Sequence, residues 1–516
     1  MAALLAWVGP PGGDVAAHAY QRALFLEHGF TLWDNFWYAG RYSFVSYSVL
    51  YYPLAAVLGI KLLVVATVAA AGYLFAVVLG REWGVAARFS SRAFAVVWAG
   101  VVLVGTYPFA LGAALVLVAV AALQGGRQKR FALFSLLSLA TSPLAFALLL
   151  LVVGAAAIER RACWRQMRGP ALATAALTTA GVILWRLFPA GGGYPFPSVE
   201  FAAASVFFAV CAALTWRVER ARVLRWLFAA NLFACVAAYL VPSALGENIA
   251  RLRLAALPLA LLVLALRRWR PRRAAVALLL FASCWNAGPL VTNFLQGQRD
   301  VSAALAYWQP AIRYLRANLD ASYRVEVVDT VDHWEAAYLP AAGIPLARGW
   351  FRQDDLPFNR VLYRHHLDAR AYLGWLRAVG ARWVVLTSAP PDYSARSEAA
   401  LLRSGASGLT PVLRTSTTTI FAVPAPRPIV TGPTRARIVA FQEARLLLSI
   451  SAPGTYRIAV RYTPYWRTSS GCVSRGLDGM LRLHTLTAGR VVLAFDLDPT
   501  GALTALTGTS PPRCHN

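Results

Sequence analysis

Three side chains near the start of the chain have the types and spacing for proton and anion chemistry. Asp14, His18 and Arg22 follow one another at intervals of four, so a helix over 14–28 sets a carboxylate, a titratable imidazole and a guanidinium on one face, a turn apart. The same spacing also suits an N-cap Asp ahead of a solvated helix, and spacing alone leaves both readings open. All three lie in a polar, aromatic segment, residues 10–59, that is long for a connection, and long connections in compact proteins are commonly functional. It also carries Arg41 and the rings of Trp33, Trp37, Tyr38, Tyr42, Tyr47, Tyr51 and Tyr52. Those rings suit an aromatic belt at a membrane interface, and Trp33, Trp37 and Tyr38 equally suit a platform on which a sugar or lipid stacks. A second polar string, GENIARL at 246–252, leads into an apolar run and sets Asn248 three residues before Arg251, on one face if helical. A capped helix start on a solvated loop is the alternative there.

The elements that must hold these residues are membrane spans. Hydrophobic residues make up 58% of the 516 and charged residues 14%, a balance that cannot cover a soluble surface. Apolar runs at 60–80, 91–105, 107–123, 131–141, 143–158, 170–188, 201–216, 226–241, 253–266 and 274–291 predict about eleven crossings once residues 1–9 are included. Several are shorter than the roughly 20 residues an upright span needs, which implies tilt, thinning or broken helices. The first run is too short to cross, which points to a start further upstream or to a helix completed by packing, and it lacks the basic flank of a cleaved signal.

Charge sets the expected orientation. Of 50 basic residues against 23 acidic ones, nineteen fall in five short loops, 81–92, 125–130, 159–168, 217–225 and 267–273, whereas the intervening loops hold Arg22, Arg41, Arg251 and Arg253. The positive-inside rule places the five basic loops in the cytoplasm and both residues 10–59 and everything after 292 outside. This parity requires 131–158 to cross twice, turning at Thr141-Ser142-Pro143. The charge of +27 comes without a nucleic-acid motif, so no nucleic-acid partner is expected. No carboxylate falls inside an apolar run before 292, which argues against an ion-coupled transporter.

With these motifs in view, "EHG", "LWDNFWYAG" and "YYPLAAVLG", behind an early outer-loop Asp and His, resemble the GT-C superfamily of integral-membrane glycosyltransferases. The likeness is nearest to the bacterial membrane-protein branch known as pyruvoyl-tetrahydropterin-synthase-related. It implies a GT-C-like transmembrane domain over 1–291 and transfer of a sugar from a polyprenyl-phosphate donor to a cell-envelope glycan or lipid on the outer face of the inner membrane. Asp14 matches the family's base, with His18 beside it. Arg22, Arg41, Asn248 and Arg251 are the candidates for the donor phosphate, which needs cations or hydrogen-bond donors at that depth. The family's paired acidic motif is absent here, since Val15 and Ala16 follow Asp14, so no cofactor is assigned, with a divalent cation the one candidate. Two other readings are a non-catalytic envelope-assembly or glycan-binding membrane protein and a lipid-linked-sugar transporter.

Beyond 292 the composition becomes that of a globular domain. Helices at 303–318, 368–379 and 394–404 alternate with strands at 323–329, 382–388, 410–415 and 418–424, the pattern of an α/β layer over 292–426. After the Pro-rich stretch 424–433, period-two runs such as RARIVAF and TYRIAVRY predict a jelly-roll-like β-sandwich over 427–516. His333, His365 and His366 with Asp329, Asp332, Asp354 and Asp355 are metal-ligand types, but their spacing fits no compact site; they read as solvated surface, and no metal ligands are assigned. Cys472 and Cys514 are the only cysteines in the outer domain, and an oxidising compartment favours a bridge between them.

Overall fold

The computed structural model describes residues 1–159, 164–189, 191–508 and 514. Contacts divide the chain into two units, one of residues 1–15, 47–182 and 192–299 and one of 16–46, 183–191 and 300–516.

The first unit is helical. Seven stretches are long and apolar enough to cross a bilayer: Ile60–Val104, Tyr107–Gln124, Met167–Leu187, Ser198–Thr215, Glu219–Leu240, Gly246–Leu266 and Arg272–Arg299, with a shorter apolar helix at Pro143–Glu159. Of the eleven crossings expected, Ala2–Val8 is only seven residues long and Gln128–Thr141 and Pro143–Glu159 fall short of a full span, while the runs 60–80 and 91–105 join in the one stretch Ile60–Val104, which leaves seven full-length stretches among the described residues. The 45-residue stretch Ile60–Val104 would be about 68 Å long if straight, over twice the hydrocarbon thickness. It doubles back at the 3₁₀ turn Gly84–Ala87, and Phe75 on one limb stacks on Phe94 of the other with ring centroids 3.9 Å apart. Helix Gln128–Thr141 ends where Ser142 is extended, and Pro143 opens the next, as the proline implied. Part of the basic loop 159–168, residues 160–163, lies outside the described residues. Met167–Leu187 has only 11% of its apolar window buried, the exposure expected of a helix surrounded by lipid. The last helix runs unbroken to Arg299, past the compositional boundary at 292.

The second unit contains a four-stranded sheet in the order Arg324–Val327, Ala381–Thr387, Thr418–Ala422, Thr410–Arg414. Its first pair is parallel and the others antiparallel. The parallel pair needs a crossover, and Ala369–Val379 closes it, capped by the Asp368 carboxylate and stopped by Gly380 in the left-handed region. Two further four-stranded antiparallel sheets follow. One orders 472–475, 480–485, 454–461 and 430–431; the other orders 466–468, 489–495, 445–450 and 436–441. Tyr456, Ile458 and Leu483 of the first and Leu446, Leu448 and Leu493 of the second share one buried cluster, the result of period-two alternation on both inner faces. Cys472 and Cys514 are disulfide-bonded.

Candidate functional site

In the helical unit Asp14 is positioned by backbone. Gly13 and Asp14 donate N–H groups to the carbonyls of Leu103 and Val104 at 3.4 and 3.3 Å, using acceptors that the end of helix Val101–Val104 leaves open. Two glycines permit this approach. A Cβ on Gly12 would lie 2.5 Å from the Val102 carbonyl oxygen, and one on Gly105, where φ is +84°, would lie 2.7 Å from the Asp14 nitrogen. The GG pair ahead of Asp14 is therefore a docking surface for the turn that carries the carboxylate.

The GENIARL string forms a 3₁₀ helix, Gly246–Ala255, in which positions three apart eclipse one another. Arg251 Nε accordingly donates to Asn248 Oδ1 at 2.9 Å, and its guanidinium lies 5.4 Å from the centre of the Phe109 ring. Arg253 is committed elsewhere, to Glu200 at 2.8 Å and Glu247 at 3.4 Å. The Tyr47 phenol lies within electrostatic reach of both Asp14 and Arg251: burial and then the Asp14 carboxylate push its pKa above the ordinary value, while the Arg251 guanidinium pulls it down. Nothing in the aromatic run Tyr42 to Tyr52 distinguished Tyr47 in the sequence. Arg251 also lines one end of an apolar cavity of about 220 Å³ inside this unit, walled by Phe75, Trp83, Phe94, Trp98 and Phe109. Phe109 and Gln124 both line it, and the fifteen helical steps from one to the other rise about 22 Å.

The other sequence candidates fall in the second unit. His18 is fully buried on helix Val15–His28, with Arg22 half-buried one turn further along. The aromatic platform is corrected: Trp33, Trp37 and Tyr38 are 2%, 0% and 1% exposed and present no open face. Trp33 stacks on Phe495 with centroids 5.6 Å apart, and Trp37 Nε1 donates to the Ala336 carbonyl at 2.9 Å. Each ring does more by burial, and by giving its N–H a partner, than it would as an exposed plate. Arg41 is likewise an internal residue, its Nε donating to Asp354 Oδ2 at 2.8 Å with the guanidinium over Phe351. Asp34 was not singled out by sequence. Completely buried, it accepts from Phe36 N at 2.8 Å and Tyr20 Oη at 3.1 Å, and burial pushes its pKa up to about 6 against the pull of Phe36 N–H and Arg41.

The acidic residues read as solvated surface also require correction. Asp329, Asp332, His333, Asp354 and Asp355 are all buried; His365 and His366 alone of that group are exposed. Arg348 Nη2 lies 2.7 Å from Asp329 Oδ2 and 2.6 Å from Asp355 Oδ2, a charge pairing that makes such burial tolerable. Asp329, His333 and Glu335 each bring a ligand atom within 4.8 Å of the others, a compact group that fits a divalent cation.

A scan against protein-family models and a search of curated proteins matched nothing. Among solved structures, the chain is similar to the arabinofuranosyltransferase AftD from mycobacteria, with a TM-score of 0.50 and 19% identity over 83% of this chain and 41% of that one. It therefore spans about two fifths of that protein's length. ArnT from Cupriavidus metallidurans gives 0.43 and 14%, covering 81% of this chain and 94% of that one. The archaeal oligosaccharyltransferase AglB from Archaeoglobus fulgidus gives 0.39 and 12%, covering 75% and 68%. None of the three is described as pyruvoyl-tetrahydropterin-synthase-related, and that narrower likeness rests on the loop motifs alone. The likeness to the arabinofuranosyltransferase is one of fold alone: among the described residues this chain has seven stretches long and apolar enough to cross a membrane, and its C-terminal part is β-rich.

Proposed function

We propose that the chain transfers a sugar from a polyprenyl-phosphate donor to a cell-envelope glycan or lipid acceptor at the outer face of the inner membrane. The observation that carries this reading is the apolar cavity inside the helical unit with Arg251 at one end. An apolar cavity lined over a helix rise of about 22 Å takes up most of the thickness of a hydrocarbon core of about 30 Å. A lipid tail lying in it brings its phosphate to the guanidinium. The acceptor hydroxyl oxygen attacks the anomeric carbon as its proton passes to the Asp14 carboxylate. The bond from that carbon to the phosphate oxygen breaks, and the departing charge meets Arg251, the Asn248 amide and the Tyr47 phenol. The basic loops support an orientation with residues 300–516 outside the cytoplasm.

The test is binding of polyprenyl-phosphate sugars, presented as a panel to the full chain in detergent. Arg251→Ala should weaken binding of the preferred donor by roughly ten- to a hundredfold, the range of one or two charge-assisted hydrogen bonds. Equal affinity in the variant and the wild type would remove Arg251 from the site, and failure of every donor to bind the wild type would overturn the function.

A further inference from the structure

A seven-residue string in the second unit, Asp329-Thr330-Val331-Asp332-His333-Trp334-Glu335, turns from the end of strand Arg324–Val327 into helix Glu335–Ala341. We propose that Asp329 Oδ2, His333 Nδ1 and Glu335 Oε1 hold a divalent transition-metal ion, of the zinc or manganese class. His333 Nδ1 is 3.7 Å from Asp329 Oδ2 and 3.4 Å from Glu335 Oε1, and all three side chains are at least nine-tenths buried. Those separations are too long for hydrogen bonds, which close to about 2.7–3.2 Å, and His333 Nδ1 is a buried nitrogen with no hydrogen-bond partner. They lie near the separation an ion needs, since tetrahedral bonds of about 2.1 Å put neighbouring ligand atoms about 3.4 Å apart.

The surroundings have the form of an outer shell. Thr330 holds Glu335 through its N–H, 3.2 Å from Oε1, and its hydroxyl, 2.6 Å from Oε2. Arg348 Nη2 holds Asp329 Oδ2 at 2.7 Å. The other nitrogen of the imidazole, Nε2, has the Asp392 Oδ1 carboxylate oxygen on its side of the ring, 4.0 Å away. Glu326, Asp329, Glu335, Asp355, Asp392 and Glu398 are all buried here, with Arg348, Arg352 and His333 as the basic groups beside them. One imidazole with two carboxylates selects zinc, manganese or iron over calcium, which takes six to eight oxygens. The site is separate from the transfer chemistry, since none of its ligands is assigned a part in it.

The full chain, purified in detergent and stripped with a chelator, is to be dialysed against zinc or manganese and passed through a desalting column before its metal is counted by mass spectrometry. The expected result is about one ion per chain, with a melting temperature raised by the metal. His333→Ala should bring the count near zero and abolish that rise, while His365→Ala, at an exposed histidine, should keep both. Should His333→Ala fail to fold, Glu335→Gln provides the same comparison at nearly unchanged volume. A folded wild type that retains neither metal, or a folded His333→Ala or Glu335→Gln variant that retains as much as the wild type, overturns the proposal.

Discussion

Replacing Gly105 by Ala tests whether the placement of Asp14 matters to turnover. The new methyl meets two costs. Its backbone has φ +84°, where a side chain costs about 1 kcal/mol or somewhat more. Its carbon also starts 2.7 Å from the Asp14 nitrogen and 3.0 Å from the Asp14 Cβ, against about 3.5–4.0 Å for an ordinary contact. The turn carrying the carboxylate must therefore retreat by roughly 1 Å, and a displacement of that size can cost up to about a hundredfold in rate. Gly508→Ala is the control for the backbone cost alone, because Gly508 is also in the left-handed region, with φ +66° and ψ 14°, and nothing lies within 4 Å of the added carbon. Both variants should melt lower, Gly105→Ala by more because it also meets the Asp14 backbone. In a turnover assay with a radiolabelled donor chosen from the polyprenyl-phosphate panel, only Gly105→Ala should lose kcat, by about ten- to a hundredfold, with KM for the donor little changed because Arg251 stays in place. If Gly105→Ala turns over within twofold of Gly508→Ala, the inference that this contact sets the position of the base is refuted.

Asp34 should leave a signature in the pH dependence of stability. Its folded pKa of about 6 lies above the ordinary 3.8, so between those values the folded chain holds the extra proton and stability falls as pH rises through that window. The loss amounts to about 3 kcal/mol, at about 1.4 kcal/mol per pKa unit. Asp34→Asn should flatten this slope in denaturation measured from pH 4 to 7, and an unchanged slope counts against the buried, ionised carboxylate. Opening the Cys472–Cys514 bridge by double substitution to Ala should cost about 2–4 kcal/mol in unfolding of the C-terminal sheets, and no change in their melting would show that the bridge constrains nothing. Arg41→Ala, which leaves the buried Asp354 carboxylate without its 2.8 Å partner, should destabilise by about 3–5 kcal/mol while donor affinity is retained; a selective loss of donor affinity at unchanged stability would return Arg41 to the donor site.

The spans were legible because a long apolar run leaves a chain few alternatives, and Pro143 marked the turn between two short helices. The limbs of Ile60–Val104 were legible too, since the Arg-rich cluster at 81–92 interrupts the run. Asp14 and Arg251 could be chosen from their local strings, but the part of Tyr47 could not. Its neighbours Asp14 and Arg251 are distant in sequence, and its own string of tyrosines is uniform. The aromatics of residues 33–38 fail for a different reason: a tryptophan in a polar loop has the same local appearance whether it meets a lipid headgroup or a protein core. Only the register of strand Arg41–Tyr42 on Trp33–Asp34 and the ring of Phe495 decide it. The buried acids were hidden by irregular geometry. His333 sits at φ +54° in a turn with no period, and the charge that permits their burial comes from Arg348, beyond the intervening helix.

The most direct test of the transfer mechanism is the turnover of Asp14→Asn, measured beside its donor affinity with the same lipid-linked sugar. The substitution keeps the shape and the backbone contacts to Leu103 and Val104 but removes the proton acceptor. Donor binding should stay within about twofold of the wild type while turnover falls by about a hundredfold or more, the usual contribution of a general base. Turnover at the wild-type rate in a chain that still binds donor would contradict the assignment of Asp14 as the base.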